Sequence, residues 1–192
     1  GWTLPGVMTA GAAQTMLKSS GLLPAGETVV AGTGPLLLLL VAQMLRAGAP
    51  PRVVLDMTPS GNLMKALPHA AGFALSPLLW KGLALKREIG RSVRIVRGVT
   101  SLEANGDARL QSVTYGTGSD ATTTIPVDNL LLHQGVVPNT NLAMAAGVAY
   151  QWDQLQHCWR PVLGEDGRSS IQGIFVAGDG AGIAGALAAE AR

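Results

Sequence analysis

Two glycine-rich turns in this chain have the residue types needed to receive a phosphate or another anion. The first contains Gly32 and Gly34 and leads through Pro35 into a long apolar run, and the second spans Gly178–Gly182. Glycines let the backbone approach a ligand closely, and a helix that follows such a turn directs its positive end and free N–H groups toward an anion. The sequence therefore predicts two separate binding turns. For the first, an ordinary strand-to-helix turn is the alternative.

An acidic residue stands where a dinucleotide site would use one. Asp56 ends the strand predicted after the first turn, and such a carboxylate accepts hydrogen bonds from the adenosine ribose hydroxyls. It would also repel a 2′-phosphate, which favours NAD over NADP. The alternative is a solvated carboxylate at a strand end. A third glycine of the dinucleotide fingerprint would fall at position 37, where Leu37 stands instead.

The first turn must be positioned by a βαβ unit. We predict a strand over Thr28–Ala31, a helix from Pro35 to about Ala47 that stops at Gly48, and a strand over Arg52–Asp56. Proline suits the first helical position, because that N–H has no partner within the helix.

The rest of the chain is predicted to add helices, an antiparallel meander and a returning segment. The expected helices are Gly61–Ala71, Ser76–Ile89, Leu142–Ala149 with its turn, and Gly182–Ala191, besides a short one at Ala10–Ser19. The expected strands are Val93–Arg97, Thr100–Ala104, Gln111–Tyr115, Thr122–Pro126, Asn129–Leu132 and Ile174–Ala177, with a hairpin or loop at Val162–Ser170.

Composition excludes several classes of protein. Of the 192 residues, 47% are hydrophobic and 14% are charged, which suits parallel strands covered on both faces. A net charge of +2 without interleaved basic and aromatic residues gives no indication of nucleic-acid binding. The apolar run at Leu36–Leu40 is too short to span a membrane. A single cysteine, Cys158, excludes an internal disulfide, and a cytoplasmic location is expected.

No catalytic or metal-binding role is predicted for the remaining ionisable side chains. His133 is interpreted as a partly buried histidine at a strand end, because no catalytic partner or second metal ligand is spaced to it. The basic stretch from Lys81 to Arg97 is interpreted as a solvated helix face, with a surface for a partner subunit or a nucleotide-phosphate contact as the alternative. No metal site is predicted.

Three motifs together resemble the two-dinucleotide flavoprotein superfamily, which includes the glutathione and thioredoxin reductases. They are the Gly32-x-Gly34 unit, the Gly-x-x-Pro-Asn segment from Gly135 to Asn139, and the segment Gly173–Asp179. The resemblance implies an α/β fold, namely a Rossmann-like pyridine-nucleotide-binding domain with an antiparallel β insertion, plus part of an FAD-binding domain.

The resemblance also implies cofactors and their contacts. FAD would lie at the second turn, where Asp179 would accept a hydrogen bond from a ribityl hydroxyl; a helix N-cap is the alternative for Asp179. NAD would lie at the first turn. The implied cofactor-binding residues are Gly32, Gly34, Pro35, Asp56 and Gly135 for the first site, and Gly178, Asp179, Gly180, Ala181, Gly182 and Ile183 for the second.

The same resemblance predicts how the chain is organised. Residues 1–26 would connect from an upstream half of the FAD domain, residues 27–141 would form the NAD(P)-binding-type domain, and residues 142–192 would be the returning part of the FAD domain. The chain is therefore expected to be a fragment of a larger protein.

A closer likeness concerns the N-terminal segment Gly1–Ala12, the residues Trp152, Cys158 and Pro161, and the segment Gly180–Ile183. They resemble the FAD-containing subunits of opine oxidases and hydrogen cyanide synthase. This implies oxidation of a carbon–nitrogen bond in a small amine, amino acid or opine-like substrate, with electrons passing through FAD to an acceptor and with partner redox subunits. Two alternatives stay open, an NADH-dependent flavoprotein reductase that feeds a partner redox protein and a degenerate nucleotide domain that serves as a scaffold between subunits.

Overall fold

The computed structural model describes residues 3–59, 61, 77–118, 121–154 and 156–183, and the chain divides into two compact units, Gly1–Gly135 and Val136–Arg192. The described elements of the first unit are β1 (Val7–Thr9), α1 (Ala10–Ser20), β2 (Thr28–Gly32), α2 (Pro35–Arg46), β3 (Val53–Asp56), α3 (Pro77–Gly90), β4 (Arg94–Arg97), β5 (Ser101–Asn105), β6 (Ser112–Gly116), β7 (Thr122–Pro126) and β8 (Asn129–His133). Those of the second unit are α4 (Asn141–Ala145), β9 (Tyr150–Asp153), β10 (Cys158–Pro161) and a 3₁₀ turn at Gly178–Gly180.

A parallel sheet forms the centre of the first unit. Its described strands run in the order β1-β8-β2-β3-β4, and every neighbouring pair is parallel. Strand β2 lies in the middle and is buried along its whole length. The carboxyl ends of β2, β3, β4 and β8 therefore meet at one edge of the sheet.

Both faces of this sheet are covered, and alternation along the strands assigns each side chain to a face. Val30, Val54 and Leu131 pack with buried residues of α1, α2 and α3. Their neighbours Val29, Val53 and Leu130 pack on the opposite face with residues of the antiparallel sheet β5-β6-β7. This two-sided burial explains why β2 and β8 are almost continuously apolar in sequence.

Helix α2 begins and ends as its sequence predicts. Gly34 is its N-cap with φ +88°, and Pro35 occupies the first helical position. At the other end Gly48 adopts φ +77°, and the Ala49 N–H donates to the Met44 carbonyl at 3.0 Å, which satisfies a carbonyl that the helix leaves open. The helix is therefore fixed at both termini by backbone geometry.

The predicted fold class is confirmed, since a parallel sheet with covering helices is joined by an antiparallel insertion. Each strand of the insertion begins and ends within one residue of its predicted bounds. The predicted helix Gly61–Ala71 and most of the predicted helix Gly182–Ala191 lie outside the described residues. Strand β1 and helix α1 belong to the first unit, because β1 pairs with β8. The domain boundaries at 26 and 141 stay predictions.

The second unit differs from expectation at two places. The predicted strand Ile174–Ala177 is wrong, because its one ladder contact is a single bridge between Arg168 and Phe175, and Phe175 is 59% exposed. The Ser169 N–H donates to the Ile174 carbonyl at 3.0 Å and the Val176 N–H donates to the Gly167 carbonyl at 2.9 Å. These two bonds satisfy part of the backbone of the segment, but they form a single bridge and not a continuous ladder.

The hairpin or loop predicted at Val162–Ser170 is a loop, in which the Gly164 N–H donates to the Arg168 carbonyl at 2.9 Å. The β-hairpin of this unit is β9–β10, which the sequence pattern does not predict. Its turn carries no glycine signal: His157 has φ +50°, and an Asp153 carboxylate oxygen accepts from the Gln156 N–H at 3.0 Å. Trp152 and Trp159 face each other across the strands with ring centroids 5.5 Å apart in an edge-to-face arrangement. Cys158, beside Trp159, is buried and free.

Candidate functional site

Four residues form a row along the carboxyl edge of the parallel sheet. The strand registers pair His133 with Gly32, Gly32 with Asp56, and Asp56 with Arg97. Each lies two positions after a residue that packs toward the helices, so all four side-chain positions belong to the helix-covered face. The sheet thus brings the first glycine turn, the candidate ribose ligand and two further polar side chains to one edge.

Gly32 is required by a close backbone approach. Its φ is +140°, and a Cβ at this position would overlap the carbonyl oxygen of His133. That same carbonyl accepts a hydrogen bond from the Thr33 N–H at 2.8 Å. The end of β2 is therefore pinned against β8, which fixes where the turn begins.

Gly34 has the opposite surroundings. A Cβ there would meet no heavy atom within 4 Å, so the turn is open on that side. Its φ of +88° still disfavours any other residue. The open space lies at the N-terminus of the 12-residue helix α2, where free backbone N–H groups attract an anion. This combination is compatible with a pyrophosphate at Gly34 and Pro35.

The missing third glycine does not prevent the strand–turn–helix unit from packing. Leu37 is 2% exposed and lies in the cluster that joins α2 to the sheet, together with Val30 and Leu40. Leucine therefore fills the space between helix and strand that a glycine would leave for close contact. The turn thus keeps its conformation, with a leucine side chain in place of direct backbone contact between α2 and the sheet.

Asp56 has one oxygen engaged locally. Its Oδ1 accepts a hydrogen bond from the Thr58 N–H at 3.0 Å, which holds the carboxylate at the end of β3. Among the described residues no donor reaches the other oxygen. A ribose hydroxyl could therefore be accepted there without displacing an existing partner.

The β8 end of the row, at His133 and Gly135, carries less charge than the Asp56–Arg97 end. Burial lowers the pKa of His133, which favours the neutral imidazole at the end of β8. Two residues later Gly135 has φ +116° and open space at its Cβ position. Charge at this edge is thus concentrated at Asp56 and Arg97.

The second glycine turn lies in the second unit and is held by fewer contacts. Asp179 is exposed, and its carboxylate has no partner among the described residues, while its carbonyl accepts from the Asn139 N–H at 3.2 Å. Gly178 has φ +60° and Gly182 has φ +149°. Ala181 is buried and Ile183 is half-buried. Two of the three sequence motifs therefore meet here, because Asn139 of the Gly-x-x-Pro-Asn segment lies beside the segment that ends in Asp179.

This second turn is compatible with one end of a polar cofactor. A Cβ on Gly180 would lie 3.2 Å from a Val176 methyl and 3.5 Å from the Asn139 carbonyl oxygen, so the turn is compact on that side. The open carboxylate of Asp179 could accept a hydroxyl.

Arg97 is a member of the first row that the sequence pattern does not single out. The pattern assigns it to a solvated basic stretch, with a nucleotide-phosphate contact as an alternative, and the structure places it at the end of the strand next to Asp56 in register. The sequence signal that could have identified Arg97 is its position at the end of the strand that follows Asp56, because neighbouring parallel strands end at the same edge of the sheet.

Among described residues, no group of three or more His, Cys, Asp or Glu could hold a metal ion. None of the helices in the described part is long and apolar enough to cross a membrane.

Curated relatives align along almost the whole chain. An opine oxidase subunit of Agrobacterium tumefaciens is 49% identical over 99% of this chain and 38% of its own length. The protein of the same name from Rhizobium meliloti is 46% identical over 99% of this chain and 36% of its own length. Hydrogen cyanide synthase subunit HcnB of Pseudomonas aeruginosa is 32% identical over 98% of this chain and 42% of its own length. The chain thus spans about two fifths of these relatives.

Solved structures agree with the fold. A thioredoxin reductase of T. acidophilum has a TM-score of 0.60 at 15% identity, over 98% of this chain and 57% of that protein. A bacillithiol disulfide reductase of Staphylococcus aureus also gives 0.60, at 17% identity over 95% of this chain and 49% of its own. At these identities the likeness establishes the fold alone.

Residues 81–192 match the family described as pyridine nucleotide-disulphide oxidoreductase, which is more than half of the chain. The match extends from α3 through the antiparallel insertion and β8 to the second glycine turn. The resemblance found in the sequence motifs is thereby confirmed, and so is the expected pairing of FAD with NAD(P) at the level of the family. The chain belongs to the pyridine nucleotide-disulphide oxidoreductase family, a family of FAD- and NAD(P)-binding oxidoreductases.

Proposed function

We propose that this chain is part of an FAD-dependent oxidoreductase that oxidises a carbon–nitrogen bond in an opine, an amino acid or a related small amine. The observation that carries the proposal is 49% identity to an opine oxidase subunit over 99% of the chain. The match to hydrogen cyanide synthase subunit HcnB supports the same broad chemistry at lower identity. The relatives are named as subunits, which supports partner redox subunits for this protein.

The second glycine turn would hold the flavin. Asp179 is exposed with an open carboxylate, and it would accept a hydrogen bond from a ribityl hydroxyl. Gly178, Gly180, Ala181, Gly182 and Ile183 would let the backbone run close to the cofactor. When bound, FAD supplies a two-electron acceptor for the hydride that leaves the substrate carbon. The protein's contribution here is to bind and orient that group.

The first turn would hold a pyridine nucleotide. Gly34 and Pro35 would face its pyrophosphate at the N-terminus of α2, Asp56 would accept from its ribose, and Gly135 would allow close passage at the end of β8. This arrangement favours a second candidate function, an NADH-dependent flavoprotein reductase that feeds a partner redox protein. In that case electrons would enter from NADH instead of from an amine.

The test is a pair of anaerobic titrations of the full-length protein that carries this chain, together with its partner subunits. The visible flavin absorption is recorded before and after addition of an opine, and separately before and after addition of NADH. Bleaching by the opine at a rate faster than by NADH is expected, because the substrate would deliver its hydride directly to the flavin.

The other outcomes separate the alternatives. Bleaching of the flavin by NADH but not by the opine would contradict the proposed oxidase function and support the NADH-dependent reductase. A protein without flavin absorption that still forms stable heteromers would contradict both and favour the scaffold. A cytoplasmic location stays a prediction from the sequence.

A further inference from the structure

Arg97, the last residue of β4, lies at the edge of the pyridine-nucleotide site proposed above, and its role rests on that site. Arg97 is exposed and is the register partner of Asp56, which is the register partner of Gly32. Neighbouring strands lie about 4.8 Å apart, so a guanidinium on β4 can reach across the space above Asp56. Arg97 thus stands one strand beyond the candidate ribose ligand, on the same face.

The two opposite charges do not form an ion pair. No nitrogen–oxygen distance of 4.0 Å or less joins the Arg97 guanidinium to the Asp56 carboxylate, and the Arg97 side chain has no hydrogen bond to any residue that the structure describes. Other arginines of this unit are paired; Arg46 holds Glu88 at 2.8 Å and Arg52 holds Glu27 at 3.4 Å. The donors of Arg97 are therefore available to a ligand that lies against Asp56.

A charge pair of this kind changes what the carboxylate alone would select. A carboxylate at the strand end binds the ribose hydroxyls and repels a 2′-phosphate, whereas a nearby arginine accommodates that phosphate. Because the two groups carry opposite charges, their effects on a phosphate at the 2′ position oppose each other. Asp56 without Arg97 would select NAD, and Arg97 without Asp56 would select NADP.

We propose that Arg97 is a specificity-determining residue of the dinucleotide site, and that it allows this site to accept a 2′-phosphorylated nucleotide despite Asp56. The pair Asp56–Arg97 then sets the preference between NAD and NADP as a balance of two charges. We therefore expect the wild-type protein to bind both nucleotides, without a strong preference for either one.

The experiment measures dissociation constants for NAD⁺ and NADP⁺ by isothermal titration calorimetry on the full-length protein. The oxidised nucleotides are used so that no electrons reach a flavin and binding alone is observed. Three variants are compared with wild type, Arg97→Gln, Asp56→Asn and the control Arg94→Gln. Arg94 is exposed and belongs to the same strand, but it pairs in register with Val53 at the opposite edge of the sheet.

Arg97→Gln is expected to weaken NADP⁺ about tenfold, the low end for loss of a hydrogen bond to a charged group, and to change NAD⁺ less than about twofold. Asp56→Asn is expected to weaken NAD⁺ and strengthen NADP⁺. Arg94→Gln should change neither. The NADP⁺ affinity should also fall more steeply with salt in wild type than in Arg97→Gln.

An equal loss for both nucleotides in Arg97→Gln, or no loss for NADP⁺, would overturn the inference. A wild-type preference for NAD⁺ of more than about a hundredfold would overturn it as well. If wild type binds neither nucleotide, the dinucleotide site itself is refuted along with Arg97. The flavin proposal is judged separately by the visible spectrum, so the two failures are distinguishable.

Discussion

The two glycine turns of this chain are built in different ways. Gly32 lies in a strand with parallel neighbours on both sides, and the turn leads into a 12-residue helix whose inner face is buried. The turn at Gly178–Gly180 follows a segment with one bridge contact, and Asp179 on it is exposed. The conformation of the first turn is fixed by the parallel sheet, and that of the second turn is fixed by a few local hydrogen bonds.

This difference explains which turn tolerates change. A residue held between two ladders cannot move without disturbing both neighbours, so the cost of a misfit there is high. A turn with exposed side chains can adjust locally. We therefore expect the first turn to control the stability of its unit, and the second to affect ligand binding more than stability.

The largest expected effect comes from Gly32→Ala. The new Cβ would overlap the His133 carbonyl, and φ of +140° is unfavourable for alanine, so we expect a loss of more than about 4 kcal/mol in the free energy of unfolding. The matched control is Gly180→Ala, where φ is not in the left-handed region, the nearest atom is a Val176 methyl at 3.2 Å and the expected loss is below about 1 kcal/mol. Urea unfolding of both variants measures the contrast, and similar losses would remove the distinction between the turns.

Next in size is Leu37→Ala. Leu37 is 2% exposed behind the first turn, and removal of a buried leucine side chain costs about 3 kcal/mol. Its neighbour Leu36 is 41% exposed, so Leu36→Ala should cost less than about 1 kcal/mol. Thermal unfolding of the two variants compares them directly. If Leu37→Ala were neutral, the leucine would not be the residue that fills the place of the third glycine.

A smaller effect is expected from pH at the end of β8. Because burial lowers the pKa of His133 below its usual 6.5, the unfolded chain binds a proton there more readily than the folded protein does. The stabilisation is therefore present above pH 6.5 and is lost as the pH falls through the folded-state pKa. His133→Gln should have a flatter melting temperature between pH 7 and pH 5 than wild type.

The control for this pH dependence is the exposed His157 of the second unit. His157→Asn keeps a residue type that tolerates the φ of +50° found there, and its pH profile is measured beside that of His133→Gln. Equal flattening in both variants would place the pH dependence somewhere other than β8.

The first unit was predictable from sequence because its signals are local and agree with one another. Glycines, a proline at the first helical turn, and apolar strands determined β2, α2 and β3 nearly to the residue. Arg97 was recognised only as part of a basic stretch with a nucleotide-phosphate contact as the alternative, because its neighbour Asp56 is distant in sequence and their adjacency depends on strand order. The β9–β10 hairpin was missed because its turn uses His157 in place of a glycine. The segment Ile174–Ala177 has the composition of a strand, but it pairs with residues 167–169 through a single bridge only.

The two turns are proposed to serve two different cofactors, and a pair of conservative variants tests this central claim directly. The full-length protein is prepared with Asp179→Asn and, separately, with Asp56→Asn, and both bound FAD per chain and the dissociation constant for NAD⁺ are measured. We predict that Asp179→Asn loses FAD while Asp56→Asn keeps FAD and binds NAD⁺ about tenfold more weakly. Full FAD content in Asp179→Asn, or a loss of FAD in Asp56→Asn equal to that in Asp179→Asn, would contradict the assignment of the turns.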